Sequence, residues 1–75
     1  MRVSEWNEWV DEHDEDWDAL RYFAAEREYD DIIEQAEDVE WKCIRGEIKD
    51  TKSAWNKVVR DLAARLTRDN VWGVE

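Results

Sequence analysis

The stretch EWNEWVDEHDEDWDALRYFA, residues 5–24, decides the fold. Trp6, Val10, His13, Trp17, Leu20 and Ala24 recur through it in alternating steps of four and three residues. At about 100° per residue these positions share one face of an α-helix, and Glu8, Asp11, Glu12, Glu15 and Asp18 fall broadly opposite. The spacing predicts one helix from about Ser4 to about Arg27, with Ser4 as its N-cap and Glu5 and Glu8 near the positive end of its dipole. Aspartate is a poor helix former and like charges at i, i+4 repel, so a break near Asp14 is the local alternative.

Outward from there, a second stripe runs Tyr22, Ala25, Tyr29, Ile32, Ala36, Val39, Cys43, again in steps of three and four. Its face is rotated by roughly 120° from the first stripe, which one continuous helix could not bury against a single partner. A turn near Glu28–Asp31 resolves the mismatch, with Asp30 or Asp31 as cap and Glu34 completing a box-like pattern. Lys42 and Arg45 suit the negative end of this helix, and Gly46 suits the position just past it. Val39-Glu40-Trp41-Lys42-Cys43 alternates like a strand, but a lone strand has no pairing partner, so it reads as helix. A third helix starts at Asp50 or Thr51. Its apolar face is Ala54, Trp55, Val58, Val59, Leu62, Ala63 and Leu66, with Lys57, Arg60 and Arg68 on the other side. Asn70 or Gly73 would end it, and Trp72 in the tail is expected to fold back on the core. The fold expected is all-α, a three-helix bundle with helices near 4–27, 30–45 and 50–68, forming one domain over residues 1–75. The third helix is expected to lie against the other two, its basic edge facing their carboxylates.

A chain of 75 residues buries a small core and leans on large side chains or a partner. Six tryptophans supply such bulk, more than a core of this size needs, so some are expected to face a partner. The net charge of −10 is unevenly spread: residues 1–40 hold 16 acids and 3 bases (−13), and residues 41–75 hold 5 acids and 8 bases (+3). That charge argues against direct binding to nucleic acid or an anionic membrane and for a basic protein surface as partner. A single cysteine, Cys43, makes no internal disulfide, and no stretch is long enough to span a bilayer or resembles a signal peptide. The expected location is the cytoplasm.

Catalytic and metal chemistry find little support. Asp14-x-Asp16-x-Asp18 opens like a calcium loop, but the sharp-turn position is Ala19 and the closing acid position is Ala25. His13 has no second His or Cys spaced to share a metal, and reads as a core-edge residue with a local partner. Cys43 with His13 as its only available base would be the whole catalytic inventory, Ser4 and Ser53 show no supporting motif, and two glycines cannot build a phosphate loop. The expectation is a non-enzyme without cofactor or metal.

What stands out is the charge. Laid end to end as helix, residues 5–40 would span about 54 Å. Their 16 carboxylates would then average about one per 3.4 Å, comparable with the phosphates of one DNA strand. Glu5, Glu8, Asp11, Glu12, Asp14, Glu15, Asp16 and Asp18 form the expected main patch, extended by Glu34, Glu37 and Asp38. Trp9, at the margin of its face, and Trp41, on the polar side of its helix, are the expected apolar anchors. In size and charge the chain is similar to the small acidic inhibitors that phages encode against restriction and CRISPR enzymes; no motif carries the likeness. The function expected is that of an inhibitor offering a DNA-like surface to a nucleic-acid-binding protein. The alternatives are a homo-oligomeric assembly protein, for instance a homodimer, and an antitoxin-like partner of a basic protein.

Overall fold

The structure, a computed structural model, describes residues 2–69 and Trp72. Among these residues it is all helical and holds four helices rather than three: α1 (Val3–Glu12), α2 (Trp17–Glu26), α3 (Asp30–Ile44) and α4 (Thr51–Arg68). The single helix expected over 4–27 is therefore corrected to two, divided at the break near Asp14 that the run of acids offered as the alternative. The chain leaves α1 at His13, whose backbone N–H still donates to Trp9 O, and turns through Asp14 and Glu15, with Glu15 in the left-handed region at φ 55°. Asp16 then caps α2 by accepting from the Ala19 N–H at 3.1 Å. An aspartate that is weak inside a helix is strong in front of one, and here that preference overrides the unbroken apolar period. Ser4 is not a cap either: α1 starts one residue before it, with Arg2 at the N-cap position and no side-chain cap.

The α2–α3 turn lies where the rotated stripe placed it, but Tyr29 rather than an aspartate occupies the N-cap of α3, without a side-chain bond. The turn is built from the end of α2. Tyr29 N–H donates to Ala24 O (2.9 Å) and Glu28 N–H to Ala25 O (3.1 Å), with Glu28 at φ 61°. The same arrangement closes α3, where Glu47 N–H reaches Lys42 O and Gly46 N–H reaches Cys43 O, with Gly46 at φ 79°. Both are Schellman turns, which need a left-handed residue just past the helix. One uses glycine and the other a glutamate. Asp50 caps α4 through the Ser53 N–H and hydroxyl, and α4 runs to Arg68 with Asp69 at its C-cap, so its expected terminators Asn70 and Gly73 lie outside the described residues.

The core sits among α2, α3 and α4. Leu20, Ala24, Ile32, Ala36, Trp55, Val58, Leu62 and Leu66 are buried in it, which confirms the expected apolar face of α4. Of the second stripe, Tyr22 and Ala25 are instead exposed, because α2 ends before that stripe becomes the inner face. α1 joins this core through rings. Trp6 is buried, stacks on Trp9 with centroids 5.5 Å apart, and tilts against Phe23 at 5.4 Å. Trp72 folds back as expected, edge-on to Trp6 at 6.4 Å, with its Nε1–H donating to the Thr67 hydroxyl. Basic residues of α4 meet acids of the other elements, but they are Arg65, paired with Asp31, and Lys52, paired with Asp14 in the α1–α2 turn. Of the expected Lys57, Arg60 and Arg68, the first two have no ion pair among the described residues and Arg68 pairs only with the adjacent Asp69.

Candidate functional site: an acidic surface on α1, the first turn and α3

The apolar face of α1 is occupied by Trp6, so its acids are displayed outward: Glu5, Glu8, Asp11 and Glu12 are all exposed. The turn that follows adds Asp14, Glu15 and Asp16, and the start of α2 adds Asp18, all likewise exposed. α3 contributes Glu34, Glu37 and Asp38 on its solvent side.

The chain's own cations divide these carboxylates into two sets. Asp14 is paired with Lys52, Asp18 with Arg21 and Asp38 with Lys42, while Asp16 is engaged in capping. Glu5, Glu8, Asp11, Glu12, Glu15, Glu34 and Glu37 have no ion pair among the described residues. Exposed pairs contribute little to stability, but they do change what an approaching ion meets. The uncompensated set is concentrated on α1 and on one side of α3. The end-to-end alignment behind the phosphate-spacing comparison is not formed, because α2 and α3 pack side by side. The described chain measures 41 × 23 × 17 Å, so its long axis matches about twelve base-pair steps at roughly 3.4 Å each.

The two aromatic candidates differ. Trp41 is 59% exposed and Ile44, one turn on, 67% exposed. Trp9 is half-buried, held between Trp6 and the His13 ring, whose centroid is 4.7 Å from its own. His13 Nδ1 also contacts Trp9 O at 2.8 Å. A carbonyl oxygen only accepts, and this one takes the His13 backbone N–H as well, so the contact calls for a proton on Nδ1. The local partner expected for His13 is therefore Trp9. Trp17 is half-buried against Trp55, so only Trp41 among the six tryptophans is largely exposed. Ile44 was missed in the sequence because it closes a helix; its place one turn past Trp41 was the available signal.

Cys43 is half-buried, and burial, then Glu15 and Glu40, push its thiol above the usual range, the opposite of what a nucleophile needs. Asp14, Asp16 and Asp18 point to three separate tasks, and no group of three or more metal-ligating side chains occurs among the described residues. No described helix is long and apolar enough to cross a membrane. The site thus defines an all-α protein with an uncompensated acidic surface. Compared with protein-family models, curated proteins and solved structures, the chain matches none.

Proposed function

We propose that this protein is a non-enzymatic, cytoplasmic inhibitor that occupies the Lys/Arg-lined site of a nucleic-acid-binding protein and excludes DNA or RNA from it. The observation that carries the reading is the uncompensated set: α1 presents Glu5, Glu8, Asp11 and Glu12 without a single base in the helix. Apart from Glu5, which suits the first turn of α1, such a surface is self-repelling; a basic partner converts it into steering and affinity. Asp14, Asp16 and Asp18 add field at the edge of this patch, and Glu34, Glu37 and Asp38 extend it onto α3. Physically the nearest analogues are the acidic phage inhibitors of restriction and CRISPR enzymes.

The test is capture of partners from bacterial lysate on the tagged protein, with low-salt and high-salt washes and mass spectrometry of what is bound. The reading expects a nuclease, polymerase or related protein that leaves in high salt and whose DNA binding the purified chain blocks. Recovery of the chain alone, resistant to salt, would replace it with a homo-oligomeric assembly role.

A further inference from the structure

We infer that the outer stripe of α3 is a docking face for a basic amphipathic helix of the partner, its lysines or arginines lying along Asp30, Glu34 and Glu37 and its apolar end on Trp41 and Ile44. The inference rests on the basic-partner reading above and names the element that docks.

The stripe follows from the helix period. Ile32 and Ala36 turn inward and are buried, so positions 30, 34, 37, 41 and 44, again in steps of four and three, share the opposite side. All five are exposed. α3 carries six carboxylates, and the chain treats them unequally. Asp31 is paired with Arg65, Asp38 with Lys42 and Glu40 with Arg21. Asp30, Glu34 and Glu37, the three on the outer stripe, have no ion pair among the described residues. Next to them the stripe ends in an exposed indole and an exposed isoleucine, with no described part of the chain covering either.

Charge selects the occupant. A second copy docking through the same face would bring the same acids toward it, in a chain whose net charge is −10. The apolar pair is also too small to carry a dimer: at 59% exposure Trp41 offers about 150 Å², against roughly 800 Å² per partner in a stable interface. A helix with cations at i, i+4 and i+7 fits instead. Over the 14 residue steps from Asp30 to Ile44 it would follow α3 for about 21 Å, or four turns. Helices recognised in this way are read by anchors at that spacing, with the apolar contact supplying the desolvated centre and the charges the register.

The probe is a synthetic four-turn helical peptide with lysines at i, i+4 and i+7 and two leucines one turn beyond. Its control has the same composition with the stripe scrambled. Binding is followed by fluorescence anisotropy and by nuclear magnetic resonance of the labelled full chain. The expected result is that the Trp41 indole and Ile44 methyl signals shift and that Trp41→Ala weakens binding at least tenfold. Glu34→Lys with Glu37→Lys does the same, while Glu5→Lys with Glu8→Lys changes it less than about threefold. Equal losses from both pairs of charge reversals, or equal binding of the scrambled peptide, would overturn the inference in favour of undirected attraction. A salt-resistant dimer abolished by Trp41→Ala would overturn it in favour of a second copy. If the peptide seats on α3 while the chain blocks no nucleic-acid-binding protein, the docking face stands and the inhibitor reading fails.

Discussion

Trp17 and Trp55 meet edge to face, their ring planes at 89° and their centroids 5.1 Å apart, and Trp55 is fully buried. This pair joins the start of α2 to the first turns of α4. A chain of 75 residues has only about 4–11 kcal/mol of total stability at roughly 0.05–0.15 kcal/mol per residue. Trp55→Ala is expected to cost about 3–5 kcal/mol and leave the chain largely unfolded. The Trp55 indole N–H is buried without an acceptor, so Trp55→Phe removes an unsatisfied donor along with the lost area and costs much less. Urea denaturation followed by circular dichroism measures both. Equal losses from the two substitutions would mean that the N–H has a partner.

Glu28 and Gly46 occupy equivalent positions in two Schellman turns, and the backbone makes the same demand on each. Glu28→Gly is expected to raise stability by about 0.5–1 kcal/mol, since relief of the left-handed penalty exceeds the extra entropy of a glycine in the unfolded chain. Glu15→Gly acts in the same direction. Gly46→Ala does the reverse by a similar amount. Nothing lies within 4 Å of a Cβ placed there, so its cost is purely conformational. Thermal midpoints of the three variants check the signs.

Stability is expected to hold between about pH 4 and pH 9 and to fall outside that window. The hydrogen bond from Arg65 keeps the Asp31 carboxyl below the usual range, and the Ser53 N–H does the same for Asp50. These carboxyls bind their protons more readily when unfolded, so acidification below their ordinary value of 3.8 favours unfolding. Burial raises Cys43 and Tyr29. They lose protons more readily when unfolded, so their contribution fades as pH climbs past 9 to 10. Denaturation midpoints across pH test this, and Asp50→Ala should flatten part of the acid limb while lowering the thermal midpoint by several degrees.

For the proposed inhibition, Glu5→Lys with Glu8→Lys should weaken competition against nucleic acid by roughly tenfold while leaving the fold intact. The same competition should decline steeply as salt shortens the screening length to about 8 Å and below. Indifference to salt would exclude the mimic mechanism.

The apolar period located the inner faces of α3 and α4 and the exposure of Trp41, because those properties follow from spacing alone. It misread residues 13–16 for the same reason. Trp6, Val10, His13, Trp17 and Leu20 stay in phase across the turn, so the period cannot register the break. The information lay in chemistry rather than spacing: Asp16 stands three residues before the N–H it accepts from, in a run of acids that a helix interior resists. Glu15 and Glu28 carried no such mark, since neither is the Gly or Asn that left-handed positions favour. At the acidic surface, spacing identified the exposed carboxylates but not which of them the chain neutralises. That depends on Lys52 reaching Asp14 across 38 residues, a contact only the folded chain creates.

The aromatic attachment of α1 separates the residues that hold the chain together from those proposed to confront a partner. Trp6, with Phe23 and Trp72 around it, fastens the helix, and nothing on its far side is needed for that. The outward positions 5, 8, 11 and 12 are therefore a surface that selection can rewrite at little structural penalty. Under the proposed inhibition, a lineage pressed to follow a changing target would show its substitutions there first, and at the buried Trp6 and Trp55 last.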